Sequence, residues 1–277
     1  LTTARIDARF AALKAEGRAA FVPYVMAGDP DAATALAILR GLPAAGADII
    51  EVGFPFSDPM AEGPPIQRAA LRALDKGMTL KGVLELIRAF RNDDQSTPVI
   101  LMGYTNLLVS WGYEAFARAA ADAGVDGVII VDTPPEEADD LTDALDAAGL
   151  SLIRLATPTS DDKRLETVVR RTSGFVYYVS VAGVTGVKEA VAAEVAPAVE
   201  RVRKASGLPV AVGFGIKTPE RAAAIARVAD AVVVGSALVD EVAAAIEMNE
   251  DVTERVLSKV ESLAKSVRAA RVGLTTV

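Results

Sequence analysis

The sequence predicts an α/β fold in which parallel strands alternate with helices, and three observations carry that expectation. The first is a recurring junction where a helical stretch ends at glycine and leads within a few residues into an apolar run: Ala45-Gly46-Ala47-Asp48-Ile49-Ile50, Ala123-Gly124-Val125-Asp126-Gly127-Val128 and Ala148-Gly149-Leu150-Ser151-Leu152. Glycine enters the left-handed conformation that closes a helix without steric cost, so each junction reads as a helix end followed by a strand start. The second is that runs such as Val128-Ile129-Ile130-Val131 and Val232-Val233-Val234 are apolar on consecutive positions. That is the pattern of strands buried on both faces of a parallel sheet. The third is number: about eight such runs lie in 277 residues, separated by helical patterns.

Taken in order, a leading helix with Ile6, Phe10 and Leu13 at helical spacing precedes a strand over 21–26. Asp29-Pro30 then opens a helix over 31–42, with Asp29 placed to cap and Pro30 at the first helical position. A strand over 49–53 runs into a long loop, 54–67, and a helix follows over 80–90. Strands over 98–102 and 127–132 flank a helix over 113–123. Helices over 136–148 and 165–171 lead to strands over 151–156 and 175–180. The remainder reads as helix 190–204, strand 209–213, helix 219–228 opened by Thr218-Pro219-Glu220, strand 231–235, and a closing helix carrying Val256, Val260, Leu263 and Val267. No linker-like or low-complexity stretch divides the chain, so residues 1–277 are expected to form one domain. Its predicted architecture is a single (β/α)8 TIM barrel with an extra N-terminal helix. An open doubly wound sheet is the alternative, because strand order is not written in the sequence.

Composition narrows the function. With 29 Lys plus Arg against 37 Asp plus Glu, the net charge is −8, and no basic block appears. Nucleic acid is not an expected partner, since binding phosphate backbones needs a concentrated basic surface. No apolar run approaches the roughly 18 residues of a membrane span. The first residues form a polar helical pattern without a signal-peptide core, which points to a cytoplasmic protein. Cysteine and histidine are both absent. Disulfides, thiol nucleophiles, Cys/His zinc sites and imidazole triads are therefore excluded, and no metal site is expected. Any proton transfer falls to carboxylates, Tyr, Lys or water.

In a barrel the chemistry sits at the carboxyl ends of the strands. There, Ile49-Ile50-Glu51-Val52-Gly53 places a carboxylate inside an apolar strand. An unpartnered buried carboxylate costs several kcal/mol unless it is protonated. Glu51 therefore reads either as a general acid/base of raised pKa or as a side chain tied to a loop amide. The loop that follows carries Asp58 and Glu62 among Pro and apolar residues, too apolar for a simple solvent connection. Glu62 is placed to reach back toward Glu51, although a loop carboxylate is more often a solvated charge. Gly183-Val184-Thr185-Gly186, Gly213-Phe214-Gly215-Ile216 and Gly235-Ser236 follow the sixth, seventh and eighth strands. Glycine lets backbone N–H groups approach an anion closely, and Ser236 opens a helix whose positive dipole end favours phosphate. Tyr104, Asn106, Asp132 and Tyr177 are the other strand-end polar groups, readable equally as satisfied core groups. Lys188 and Lys217 lie outside the strands, which disfavours a Schiff-base mechanism. The residues alone thus indicate a barrel enzyme that acts on a small phosphorylated molecule through carboxylates.

The run Glu51-Val52-Gly53-Phe54-Pro55-Phe56-Ser57-Asp58-Pro59, with Gly63-Pro64 and Ile66-Gln67 after it, resembles the signature of the tryptophan synthase α subunit family. Tyr104-Thr105-Asn106-Leu107, Asp132 with Pro134-Pro135-Glu136-Glu137, Ser180 and the three glycine turns extend the resemblance in order along nearly the whole chain. The resemblance implies reversible retro-aldol cleavage of indole-3-glycerol phosphate to indole and glyceraldehyde 3-phosphate. It assigns proton transfer at indole C3 to Glu51 and stabilisation of the indole N–H to Glu62, with Tyr177 near the reacting glycerol. Phosphate would be held by Gly186, Gly213, Phe214, Gly215, Gly235 and Ser236. Thr185 would sit on a lid, and Phe21, Met102, Ile129, Val131 and Leu155 would line the indole side.

A β subunit carrying pyridoxal phosphate is the implied partner, in an αββα heterotetramer, with Asp58 at the interface and no cofactor in this chain. Two residues depart from the family pattern: Glu62 stands where Asp is usual, and Val181 where some members carry Arg. Those departures keep two further readings open, a catalytically weakened allosteric activator of the β subunit and a stand-alone lyase releasing indole. A phosphosugar isomerase on the same scaffold is a third.

Overall fold

In the computed structural model, residues 3–180, 188–213 and 215–271 are described. The strands are β1 (Ala20–Met26), β2 (Ile50–Gly53), β3 (Val99–Gly103), β4 (Gly127–Ile130), β5 (Ser151–Leu152), β6 (Arg154–Ala156), β7 (Val176–Val179), β8 (Val210–Gly213) and β9 (Ala231–Val234). They form one nine-stranded sheet ordered β5-β4-β3-β2-β1-β9-β8-β7-β6, and each neighbouring pair is parallel. The two ends of that order are consecutive in the chain, separated only by Ile153. β5 and β6 are therefore two halves of one extended stretch, the first paired to β4 and the second to β7. Counted so, the sheet is an eight-stranded barrel, and the open doubly wound alternative is discarded.

Among the described residues twelve α-helices accompany the strands: α1 (Thr3–Ala15), α2 (Ala32–Ala45), α3 (Pro64–Asp75), α4 (Leu80–Arg91), α5 (Thr105–Trp111), α6 (Tyr113–Ala123), α7 (Asp139–Ala148), α8 (Asp162–Val169), α9 (Lys188–Ser206), α10 (Pro219–Ala226), α11 (Ser236–Met248) and α12 (Val252–Ala269). Gly46, Gly124 and Gly149 close α2, α6 and α7 with φ of 111°, 89° and 74°. The left-handed conformation inferred at all three junctions is thus present. Thr218 caps α10 by accepting from the Arg221 N–H at 3.3 Å. The cap inferred at Asp29 is corrected. Asp31 accepts the Thr34 N–H at 2.9 Å and begins α2, whereas Asp29 is buried and held bidentately by Arg72 at 2.7 and 2.8 Å. Either aspartate satisfies the capping preference, so only the packing of α3 decides between them. α3 and α5 are additions to the sequence reading: the Pro and Gly content of 54–67 extends the loop reading over the start of α3, although 68–75 carries none of these residues, and α5 is a seven-residue helix with Asn106 near its start and Gly112 at its end.

Strand alternation sorts the core into two layers. Ala20, Val22, Ile49, Ile100, Ile129, Ile153, Phe175, Tyr177, Ala211, Ala231 and Val233 form one buried cluster inside the barrel, joined by Ile6, Phe10 and Leu13. α1 therefore plugs the amino-terminal end of the barrel with the apolar stripe seen in its sequence. The intervening strand residues face outward and pack against the helices.

At that amino-terminal end, three aspartates hold the strand starts. Asp48 accepts the Phe21 N–H at 2.9 Å, Asp126 the Val99 N–H at 2.8 Å, and Asp230 the Val210 N–H at 2.9 Å. Each aspartate precedes one strand and takes a backbone donor from its neighbour, so each fixes the register of a parallel pair. Arginines neutralise them: Arg18 on Asp48, Arg5 and Arg91 on Asp126, Arg203 on Asp230. Asp126 is the most enclosed, and its side chain is fully shielded from solvent. Removing it strands Arg91 without a counter-charge, a loss worth about 3–5 kcal/mol. Asp126→Ala should accordingly lower the denaturation free energy by about 3 kcal/mol or more, read by urea titration; an unchanged midpoint would show that the clamp is dispensable.

Candidate active site

The carboxyl ends of the strands form the mouth of the barrel. β2 aligns Glu51 with Tyr24 of β1 and with Ile100 of β3, and Gly53 with Met102. Since neighbours in register share a face, Glu51, Gly53, Tyr24 and Met102 all point inward. Glu51 is 2% exposed, and its Oε2 has no hydrogen-bond partner among the described residues. The loop amide that could have neutralised it does not reach that oxygen. Burial in this apolar interior, reinforced by the charge of Glu62, pushes its pKa up to about 8.

Glu62 comes to the same chamber from the loop between β2 and α3. Two contacts seat that loop on β3: the Ala61 N–H donates to Tyr104 Oη at 3.0 Å, and the Phe56 ring stacks on Tyr104 with centroids 5.2 Å apart. Gln67 Nε2 donates to the Glu62 carbonyl at 3.0 Å and fixes the segment just before α3. Glu62 is half-buried, and burial raises its pKa to about 6. At neutral pH the chamber therefore holds one protonated and one ionised carboxyl group. Acid and base roles are separated by environment alone.

Two tyrosines complete the chamber. A Cβ on Gly53 would lie 2.1 Å from Tyr24 Oη, and one on Gly213 would lie 2.0 Å from Tyr177 Oη. Each hydroxyl thus occupies the space that a side chain on the facing strand would fill. Burial first, then the charges of Glu51 and Glu62, drives the pKa of both tyrosines well above the usual value. Both remain protonated and able to donate. Gly213 was read in the sequence as a place for backbone to approach an anion; in the fold its missing side chain is taken up by Tyr177.

Of the residues matched to the indole side, Met102, Ile129, Val131 and Leu155 face the barrel interior. Phe21 does not, and its assignment is corrected. It is 0% exposed and packs in the layer between strands and helices, while Ala20 and Val22 point inward on either side of it. The inward aromatic residue of β1 is Tyr24. Only strand phase separates the two, and it would have been legible from the alternation of Ala20, Val22 and Tyr24 against the larger Phe21.

The anion cradle is partly visible. Gly215 has φ of 71°, a conformation that favours glycine. Ser236 is the first residue of α11, whose amino-terminal end has no side-chain cap among the described residues; the Leu238 N–H turns back to the Gly235 carbonyl at 2.8 Å, which leaves the Ser236 and Ala237 N–H groups to face an anion. Gly235 follows β9 beside the Tyr24 ring, the nearest approach to a Cβ there being 3.4 Å. Gly186, Thr185 and Phe214, assigned to the phosphate and the lid, lie outside the described residues, as does Val181. Ser180 Oγ donates to the Gly213 carbonyl at 3.0 Å and ties β7 to the turn after β8. Asp132 accepts the Thr105 N–H at 2.8 Å, which makes it a satisfied strand-end group. Asp58 is exposed on the outer side of the loop, next to Met60, which is 80% exposed. Among the described residues no cluster of His, Cys, Asp or Glu could hold a metal ion.

A model of the family "Tryptophan synthase alpha chain" matches residues 10–268. The chain belongs to the tryptophan synthase alpha chain family. It is 83% identical over 271 residues to the tryptophan synthase alpha chain of Phenylobacterium zucineum, covering 98% of each, and 72% identical over 273 residues to that of Caulobacter vibrioides, covering 99% of each. The crystal structure of tryptophan synthase subunit alpha from Legionella pneumophila superposes with a TM-score of 0.89 at 41% identity, over 95% of this chain and 98% of that one. A Mycobacterium tuberculosis tryptophan synthase structure gives 0.85 at 37% identity over 95% and 98%. The reaction of the alpha chain is the cleavage of indole-3-glycerol phosphate to indole and glyceraldehyde 3-phosphate.

Glu51 also makes the stability of the fold depend on pH. Its folded pKa of about 8 lies above the ordinary 4.5. Below the lower value both states hold the proton; between the two the folded state alone holds it, so stability falls as pH rises and is lowest above the folded pKa. Glu51→Gln removes that penalty. The variant should melt at least about 3 °C above the parent at pH 8.5 and show a smaller gain at pH 5; equal gains at both pH values would place the carboxyl group in water.

Proposed function

We propose that Glu51 and Glu62 carry out the retro-aldol cleavage of indole-3-glycerol phosphate as a proton donor and an anchoring carboxylate, making this chain a carbon-carbon lyase. The observation that carries the proposal is the buried Oε2 of Glu51, unpartnered among the described residues in a chamber shared with Glu62. Cleavage breaks the bond between indole C3 and the glycerol phosphate chain. The electron pair returns to the ring as C3 is protonated, and the hydroxyl on the departing carbon loses its proton as that carbon becomes the aldehyde. Glu51, protonated at neutral pH, gives its proton to C3 and takes the hydroxyl proton back, so the site is restored. Ionised Glu62 accepts a hydrogen bond from the indole N–H and stabilises the charge that ring protonation places there. Tyr177 and Tyr24, kept protonated, are oriented to donate toward the glycerol oxygens.

The uncapped start of α11 at Ser236, with Gly235 and the Gly213-Phe214-Gly215 turn, would bind the phosphate, and Gly186 and Thr185 would close over it. Met102, Ile129, Val131 and Leu155 offer the indole ring an apolar wall. The extra methylene of Glu62 is compatible with this chemistry, because Glu62 stands on a loop rather than on a strand, and the side chain's added rotatable bond lets the carboxylate adjust its position. The partner that fits the exposed Asp58 and Met60 loop is a tryptophan synthase β subunit, in an αββα assembly to which pyridoxal phosphate belongs. The span 1–277 then works as one catalytic domain in the cytoplasm, without a cofactor of its own. Among the described residues no helix is long and apolar enough to cross a membrane.

An indole-release assay on the purified chain, alone and with the β subunit, tests the reaction; no turnover in either condition rejects it. The two carboxyl groups set its pH dependence. kcat/KM should follow a bell, declining below about pH 6 as Glu62 takes a proton and above about pH 8 as Glu51 loses its own. In Glu51→Gln, turnover should fall by roughly a hundredfold or more; wild-type turnover in that variant would remove the assignment. Ser236→Asp places a negative charge at the anion cradle and should raise KM by roughly tenfold or more with a smaller change in kcat. An unchanged KM would locate the phosphate elsewhere.

A further inference from the structure

The barrel wall has a seam. β4 pairs with β5 only at Gly127↔Ser151 and Val128↔Leu152, and the Ile153 N–H to the Val128 carbonyl, at 2.9 Å, ends that ladder. From Arg154 onward the chain pairs with β7 instead. The residues that follow Val128 on one side and Ile153 on the other are not bonded across the gap among the described residues. A cleft of about 370 Å³ enters there. Its lining includes Val131 and Leu155 from the interior face, Leu141 of α7 and Val168 of α8 from the helix layer, and the polar side chains of Arg154 and Thr133.

Arg154 has no use in the fold so far described. It is 8% exposed, which leaves its guanidinium largely dehydrated. Its Nε has no hydrogen-bond partner among the described residues, and its Nη2 meets only Thr142 Oγ1 at 3.4 Å. No carboxylate among the described residues lies within ion-pair distance of it. The other arginine on the cleft, Arg164, is already paired with Glu136. Thr133 Oγ1, lining the same cleft, is likewise buried and unpartnered. Burial and the nearby Arg171 and Arg170 lower the Arg154 pKa against the acids Asp139 and Glu136, but a guanidinium starts so far above neutral that it stays charged, and its Nε has no partner among the described residues. The cleft is lined by apolar and polar side chains together, and two of its polar groups, Arg154 Nε and Thr133 Oγ1, are unsatisfied among the described residues, which marks it as a candidate ligand site.

We propose that this cleft binds a small monocarboxylate with an apolar or aromatic body, its carboxylate gripped side-on by Nε and Nη2 of Arg154 and its body packed on Leu141, Val168 and Leu155. The fork spacing matches two carboxylate oxygens, and Thr133 Oγ1 offers a further donor. A dianionic phosphate ester suits the cleft less, since it would find one uncommitted guanidinium against Asp132 in the lining, whose Oδ1 accepts the Thr105 N–H, and against the nearby acids Asp139 and Glu136. The volume lies within the range of small-molecule sites, and the apolar walls need a body rather than a bare ion. The site shares Val131 and Leu155 with the barrel mouth but takes its charge from the opposite face of the strand.

The test is calorimetric titration of the full chain with 3-phenylpropionate. Saturable one-site binding is the expected result, with affinity at least about tenfold weaker in Arg154→Gln and for the neutral 3-phenylpropanamide. Ser236→Asp, which disables the phosphate cradle, should leave this binding unchanged. Should Arg154→Gln not fold, Arg154→Lys keeps the charge without the fork and should weaken binding about fivefold. The proposal is overturned by absence of saturable binding, by affinity that is the same in whichever Arg154 variant folds, or by binding lost in Ser236→Asp, which would move the ligand into the mouth.

Discussion

The mouth of this barrel is organised around one constraint: the carboxyl group of Glu51 is held in an apolar interior with no hydrogen-bond partner for its Oε2 among the described residues. Water would solvate Glu51 at a pKa near 4.5, whereas the interior holds it near 8. That displacement turns an ordinary glutamate into an acid that is still protonated at neutral pH. It also imposes constraints on its neighbours. Gly53 must leave room for Tyr24, Gly213 must leave room for Tyr177, and Met102 must supply apolar surface rather than a counter-charge. A lysine or arginine at any inward position of this layer would return Glu51 to its ionised state and remove the proton it has to give.

Such a site is unfavourable to folding, and the opposite end of the barrel offsets it. Asp48, Asp126 and Asp230 lock the strand starts through backbone N–H groups and are themselves neutralised by arginines. Carboxylates thus serve both ends of the same strands in opposite electrostatic states. At the amino-terminal end they are paired with arginines and hold backbone N–H groups; at the carboxyl end Glu51 Oε2 is without a partner among the described residues. α1 reinforces the division by filling the amino-terminal opening with Ile6, Phe10 and Leu13, so that the mouth is left to the substrate.

Reciprocity between tyrosine and glycine is the second device of the mouth. In each pair, a long side chain from one strand rests on a bare Cα of the next. The large residue is positioned by the small one, and the hydroxyls meet the field of both glutamates while Glu51 Oε2 stays without a partner among the described residues. The loop carrying Glu62 is treated differently. It is seated by a backbone bond to Tyr104, a ring stack and the Gln67 bond to the Glu62 carbonyl, so the second carboxylate approaches from a loop while the first stands on a strand.

The strands and helix ends were legible because they rest on local physics. Apolar runs mark β4 and β9, left-handed glycines close α2, α6 and α7, and the isolated charge of Glu51 in an apolar strand marks the site. Where two neighbouring residues satisfy the same local rule, the sequence left a choice. Asp29 and Asp31 both suit a cap, and the packing of Arg72 from α3 against Asp29 settled it. Phe21 and Tyr24 both suit an aromatic wall, and the phase of β1 settled that.

By itself, then, the sequence determined the chemical inventory: carboxylates and tyrosines as the only proton carriers beyond lysine, a parallel barrel to hold them, and the family to which the chain belongs. Tertiary structure decided which groups meet. Closure of the sheet through Ile153, the dehydration of Glu51 beside Glu62, and the open seam at Arg154 each arise from residues far apart in the chain. Their energies depend on distance and on the exclusion of water, and neither quantity exists until the barrel has closed.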